Sequence, residues 1–182
     1  VNRLFSTVDS ELGTLTVLVN NAGILRPQSR LIDMTAARIN EILINNVTSY
    51  FLCSREAVKR MSTNTGGSGG VIVNVSSGAA KSGSPNEYID YAASKGAIDT
   101  LTRGLSLEVA NEGIRVNCVR PGLIHTDMHA DGGEPGRIKR LASKIPLGRG
   151  GEPYEVAEAI YWLASEKSSF STGNFLDLSG GI

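Results

Sequence analysis

The sequence predicts an α/β fold in which helices cover both faces of a parallel sheet, a doubly wound arrangement in one domain spanning residues 1–182. Three observations carry that prediction. Short strand-like runs alternate with helix-period segments along the whole chain, and no hairpin signal joins one run to the next. The run Val71, Ile72, Val73, Asn74, Val75 is almost continuously β-branched, the pattern of a parallel strand buried on both faces.

The elements follow in order. Residues 3–12 have a helical period, and residues 15–19 form an apolar run stopped by the turn formers Asn20, Asn21, Ala22 and Gly23. From Thr35, a candidate cap, to Ser62, apolar residues recur at three and four, which predicts one long helix with Leu43, Asn46 and Tyr50 on its inward stripe. Residues 88–111 return to helical period, with Tyr91, Ile98 and Leu105 inward, Lys95 at the stripe's edge and Gly113 as a left-handed stop. Residues 114–119 make the next strand, ended by Pro121 and Gly122; Pro153 opens another helix, and residues 174–178 a last strand. In such a sheet ligands bind beyond the carboxyl ends of the strands, so the loops after Val19, Val75 and Val119 are the candidate site. The charged, glycine-rich segment 126–151 lies beyond one of these ends and is either a lid over a substrate or an ordinary surface excursion.

Composition narrows the function classes. Lysine plus arginine equals aspartate plus glutamate at 18 each, so charge favours neither nucleic acid nor an acidic membrane as partner, and a small molecule is the expected one. The two cysteines, Cys53 and Cys118, sit in apolar stretches and read as reduced core thiols, not as a disulfide or a metal site. No basic-then-apolar leader and no long apolar run occurs, which places the chain by expectation in the cytoplasm.

Chemistry is suggested at five positions. Tyr91 and Lys95 stand four residues apart, on one side of a helix and one turn from each other. A free phenol titrates near 10, too high for a proton shuttle at neutrality, and a neighbouring cation would favour the phenolate. Ser76 and Ser77 follow the strand 71–75, where a hydroxyl can meet a substrate oxygen. Asn46 is an amide on an inward helix stripe, where it must find hydrogen-bond partners.

Taken together, the Asn20–Gly23 turn, Asn46-Val47, Val75-Ser76-Ser77, Tyr91-x-x-x-Lys95, Arg120-Pro121-Gly122 and Thr126-Asp127-Met128 resemble the classical short-chain dehydrogenases/reductases in order, spacing and setting. The likeness covers nearly the whole chain. It is nearest to the bacterial branch with 3-oxoacyl carrier-protein reductases and glucose dehydrogenases. The resemblance implies a Rossmann-like fold and hydride transfer between NAD or NADP and a carbonyl or secondary alcohol. It implies Tyr91 as acid/base, Lys95 as the cation that lowers its pKa and binds the nicotinamide ribose, Ser77 as the group orienting the carbonyl, and Asn46 as holder of a relay water. Asn21, Ala22 and Gly23 would line the adenosine side of the cofactor, and Pro121, Gly122, Ile124 and Thr126 the nicotinamide. It also implies a homodimer or homotetramer paired through the helices 35–62 and 88–111, whose outward faces carry Leu52, Ala93 and Ala97.

Two departures from the family pattern stand out. The interval between Ser77 and Tyr91 is one residue longer than is common, which leaves Ser76 as an alternative to Ser77. The family's first strands and their glycine-rich turn are not in this sequence, and Gly66-Gly67-Ser68-Gly69-Gly70 precedes a strand, so it cannot serve as that turn. The expectation is therefore about two-thirds of the family fold, with an upstream segment in the complete polypeptide and weak cofactor binding by these residues alone. The rival function is a family member without catalysis that senses cofactor or binds a partner.

Overall fold

The computed structural model describes residues 1–182. Helix α1 (Asn2–Glu11) leads into strand β1 (Val17–Asn20). Helices α2 (Ala36–Leu43) and α3 (Ser49–Met61) run as one rod joined by a π-helical turn, Ile44–Thr48, and lead to β2 (Gly70–Val75). A short helix α4 (Ala79–Ser82) and the long α5 (Ile89–Glu108) precede β3 (Ile114–Pro121). Two short helices, α6 (Met128–Asp131) and α7 (Arg137–Leu141), then α8 (Pro153–Ala164), lead to β4 (Phe175–Leu178).

The four strands form one sheet in the order β1-β2-β3-β4, every neighbouring pair parallel. Alternation along β2 divides the core. Ile72 points to the side where Phe5, Ala57, Met61, Val109, Ile114 and Val116 pack; Val71, Val73 and Val75 point to the other side, against Val119, Val156 and Leu163. Helices therefore cover both faces, as the β-branched run predicts. Helix α8 starts on Pro153 with Glu152 and Glu155 capping each other reciprocally, and Gly113 takes the left-handed conformation (φ 75°) that ends the turn after α5. No helix is long and apolar enough to cross a membrane, and no group of His, Cys, Asp and Glu is placed to hold a metal ion.

Two details depart from the sequence expectation. The rod from Ala36 to Met61 is not a uniform α-helix: the π-turn adds a residue to the repeat and shifts its phase. The inward stripe is thus Ile42, Asn46 and Tyr50, all buried, while Leu43 faces out. On α5 the inward line runs through Lys95, Ile98, Thr102 and Ser106, so Lys95 is the buried member of the pair and Tyr91 lies at the edge.

The glycine run before β2 is tightly packed. A Cβ on Gly67 would sit 2.4 Å from the carbonyl oxygens of Arg60 and Met61. One on Gly69, whose φ is +82°, would sit 2.5 Å from the Gly113 oxygen, and the Gly69 N–H donates to Met61 O at 2.7 Å. Gly69→Ala combines a left-handed backbone with a backbone clash and is expected to cost about 2 kcal/mol or more in urea unfolding.

Candidate active site

The carboxyl ends of β1, β2 and β3 reach one edge of the sheet, where two cavities meet. The larger, about 640 Å³, runs from the loop after β1 (Asn21, Ala22, Gly23) past Ser77, Tyr91 and Lys95 to the loop after β3 (Pro121, Gly122, Ile124, Thr126) and is closed by Val156 and Ile160 of α8. Every residue that the resemblance assigns to the cofactor lies on this one wall. The smaller cavity, about 170 Å³, opens beside Ser77 and Tyr91 and is bounded by Leu25, Tyr88, Leu123, Met128 and His129. Tyr91 and Ser77 line both.

The two serines after β2 divide their tasks. Ser76 is buried and donates its hydroxyl to the Lys95 carbonyl at 3.1 Å. Ser77 lies beside Tyr91 on the wall of both cavities, and its Oγ accepts the N–H of Ala79 at 3.1 Å, which fixes the turn into α4. Ser77 is the hydroxyl beside the phenol. The nearby Tyr88 is committed elsewhere, donating to the Gly132 carbonyl at 3.0 Å.

Lys95 is only 2% exposed. Its Nζ donates to the Val75 carbonyl at 2.8 Å and lies 3.4 Å from the Tyr50 hydroxyl, which itself donates to Val75 O at 3.0 Å. The ammonium sits 5.7 Å from the centre of the Tyr91 ring and 5.2 Å from that of Tyr50. Burial lowers the Lys95 pKa to about 8, because no carboxylate pairs with it directly. Burial also raises the Tyr91 phenol above its ordinary value, with the neighbouring Ser77 hydroxyl opposing the rise. The sequence expectation was a phenol lowered by Lys95; in this geometry the amine is spent on Val75 and burial outweighs it.

Asn46 lies wholly buried behind the cavity, in the π-turn. Its Oδ1 accepts the Ile24 N–H at 2.7 Å, and its Nδ2 donates to Ile24 O at 3.0 Å and Ser94 Oγ at 3.2 Å. The side chain thereby pins the loop after β1 to α5. A Cβ on Gly23 would lie 3.4 Å from this amide oxygen and 3.5 Å from Lys95 Nζ, in ordinary contact with both. Gly122 is more tightly constrained: its Cβ would meet Ser179 Cα at 2.8 Å.

The whole of this chain, residues 1–182, matches the family model described as "Enoyl-(Acyl carrier protein) reductase". The chain belongs to the short-chain dehydrogenase/reductase family. It is 64% identical over 181 residues to "Uncharacterized oxidoreductase YgfF" of Escherichia coli (strain K12), covering 100% of this chain and 73% of that protein. It is 39% identical over 173 residues to "Glucose and ribitol dehydrogenase homolog" of Oryza sativa subsp. japonica, covering 93% and 57%. It is 41% identical over 180 residues to "3alpha-hydroxysteroid dehydrogenase" of Mediterraneibacter gnavus, covering 99% and 70%. The chain spans 57% to 73% of the length of these relatives. All three are oxidoreductases by name, and the family uses NAD(P)(H) to oxidise alcohols or reduce carbonyls.

Three features of this short-chain dehydrogenase/reductase site were not read from the sequence. The π-turn that carries Asn46 is one, since a single inserted residue leaves no mark on a three-and-four pattern. Another is Tyr50, read as a core position, whose hydroxyl lies under Lys95. The third is a buried polar ladder one row back from the strand ends. Asn20 Nδ2 donates to Ser54 Oγ at 3.1 Å and to Asn74 Oδ1 at 2.9 Å, and Asn74 Nδ2 donates to Thr102 Oγ1 at 2.9 Å. The signal was available: Asn20 and Asn74 are polar residues inside strand runs, where each needs a partner. Tyr50→Phe removes a buried hydroxyl but leaves Val75 O with the Lys95 ammonium; a loss of about 1 kcal/mol in urea unfolding is expected.

Proposed function

We propose that this chain supplies the proton-transfer and substrate-binding part of an NAD(P)-dependent oxidoreductase acting on a carbonyl or secondary alcohol, with Tyr91 as acid/base. The observation that carries this reading is the convergence of Ser77, Tyr91 and Lys95 where the two cavities meet. The larger cavity suits the cofactor: it is long, apolar at the α8 end, and Gly23 and Gly122 leave backbone open on its wall. Asn21, Ala22 and Gly23 would hold the adenosine side, Lys95 the ribose next to the nicotinamide, and Pro121, Gly122, Ile124 and Thr126 the nicotinamide. When bound, that group supplies or accepts the hydride.

The residues of the chain handle the oxygen and its proton. The substrate oxygen lies between Tyr91 Oη and Ser77 Oγ–H. In reduction Tyr91 gives its proton to the oxygen as negative charge develops there, and Ser77 stabilises that charge by donating a second hydrogen bond. In oxidation the phenolate takes the alcohol proton, and the Lys95 charge beside the ring favours that phenolate. Asn46 would hold the relay water from its place in the π-turn behind the cavity, while its amide fixes the loop 21–24 against α5; Oδ1 accepts one hydrogen bond, from Ile24 N–H, and keeps a second lone pair.

Segment 126–151 serves in this reading as the lid of the smaller cavity. It is latched by Tyr88 onto Gly132, by Arg137 onto Glu87, and by Gln28 onto Glu134 at 2.8 Å. A homo-oligomer paired through α3 and α5 belongs to the same proposal, supported by the exposed Phe51 and Ile89. A mass measurement on the native protein showing only monomer would remove that part.

The test is cofactor oxidation or reduction, followed by absorbance, on the intact protein with a panel of aldehydes, ketones and alcohols. Turnover with at least one member is expected. A protein that binds NADH or NADPH in a thermal-shift assay yet turns over none of them would favour the non-catalytic cofactor-binding reading.

A further inference from the structure

The smaller cavity holds one imidazole that the reaction does not use. His129, half-buried in α6, lies on the wall of both cavities, with Tyr91 on the same two walls. Its Nε2 is 2.9 Å from the Ile124 carbonyl oxygen. A carbonyl can only accept, so Nε2 carries the proton and Nδ1 carries a lone pair. Nδ1 has no hydrogen-bond partner within the chain. Desolvation lowers the imidazole pKa, which keeps the ring neutral and Nδ1 an acceptor at physiological pH.

The charged group of this cavity, Arg137, is already committed. Its guanidinium pairs with Glu87 and with Glu134 at 3.0 Å and lies 5.0 Å from the centre of the Tyr88 ring. Arg140 pairs with the same two carboxylates, so two cations face two carboxylates and the cluster offers no net positive charge to an anionic substrate. What remains is an apolar wall of Leu25, Leu123 and Met128, the Ser77–Tyr91 pair, the Ser82 and Ser84 hydroxyls at the α4 end, and the neutral imidazole beside Tyr91. The volume of about 170 Å³ resembles the roughly 150 Å³ that holds a molecule of benzene, which sets the occupant at about six heavy atoms.

Resting on the reading of Tyr91 as acid/base, we infer that His129 is a specificity-determining residue whose Nδ1 accepts a hydrogen bond from a hydroxyl on the substrate, and that the substrate class is small, neutral hydroxylated carbonyl compounds. A substrate hydroxyl pairs the imidazole, whereas an analogue without it leaves Nδ1 desolvated and unpartnered; that asymmetry makes hydrogen-bonding sites discriminate more strongly than apolar ones.

The experiment compares isosteric pairs on the intact protein: hydroxyacetone against butanone, and 4-hydroxybutan-2-one against pentan-2-one. For at least one pair, kcat/KM is expected to favour the hydroxylated member by about tenfold to a hundredfold. His129→Leu should shrink that ratio at least tenfold, while His129→Gln, which retains an acceptor, should restore part of it. In parallel, the ¹⁵N resonance of His129 Nδ1 is expected to move toward hydrogen-bonded values when hydroxyacetone is added and to stay in place with butanone. Equal kcat/KM within both pairs, or a leucine variant that keeps the full preference, overturns the inference. Turnover of no carbonyl at all would sink the acid/base reading instead, and the nitrogen shift would then decide the hydroxyl contact separately: movement keeps it, no movement ends it.

Discussion

Tyr91→Phe is expected to lower turnover by a hundredfold or more while leaving stability and cofactor affinity close to those of the parent. The selectivity of this effect follows from the surroundings of the phenol. The hydroxyl faces the cavities and meets Ser77, and the ring keeps its place over Lys95 Nζ whether or not it carries oxygen. No buried partner is orphaned, because Ser77 Oγ retains the Ala79 N–H. The pH dependence has a definite sign. Burial raises the phenol pKa, so Tyr91 is protonated at neutrality, the form that reduction needs. Carbonyl reduction is expected to decline, and alcohol oxidation to rise, as pH climbs toward that raised value. A phenylalanine variant with undiminished kcat, or a reduction rate that increases with pH, would remove Tyr91 from the acid/base role.

The sheet was legible because its strands are short and β-branched, and because buried parallel strands tolerate few other patterns. Gly70–Val75 differs by one residue from the run that predicted it. The loops at the site were legible for a related reason: topology confines ligands to the carboxyl ends of the strands, and Gly23, Gly122 and Ser77 lie there. What a linear pattern does not encode is phase. The π-turn exchanged Leu43 for Ile42 on the buried stripe, and on α5 the polar line Lys95, Thr102 and Ser106 faces the sheet, where hydropathy alone would have placed Tyr91 and Leu105. Buried polar residues invert the usual inference, since their neighbours supply hydrogen bonds that the sequence does not display. Asn46 illustrates the limit. Its burial was foreseen, yet its partner Ile24 lies 22 residues away and bonds through the backbone, which carries no sequence signature.

Lys95 is where stability and chemistry pull in opposite directions, and its replacement should separate them. Lowering a lysine pKa from 10.5 to about 8 corresponds to about 3 kcal/mol against the charged form at neutral pH, by burial. Lys95→Met fills nearly the same volume without a charge, and Val75 O keeps the Tyr50 hydroxyl at 3.0 Å. After loss of the ammonium hydrogen bond, on the order of 1 kcal/mol, the variant is expected to be about 2 kcal/mol more stable at pH 7. Turnover should nevertheless fall by two orders of magnitude or more, roughly the worth of an acid/base step, because the phenolate loses its neighbouring cation. The pH dependence provides an internal control. Between about 8 and 10.5 the unfolded chain binds more protons at this site than the folded one, so parent stability rises with pH there while the methionine variant lacks that rise. The gap between the two proteins should be full below pH 8 and close as pH approaches 10.5. Urea unfolding at pH 7 and pH 9.5 measures it; a variant less stable than the parent at pH 7, or a gap that does not change with pH, would show that Lys95 is not the strained cation this site makes it.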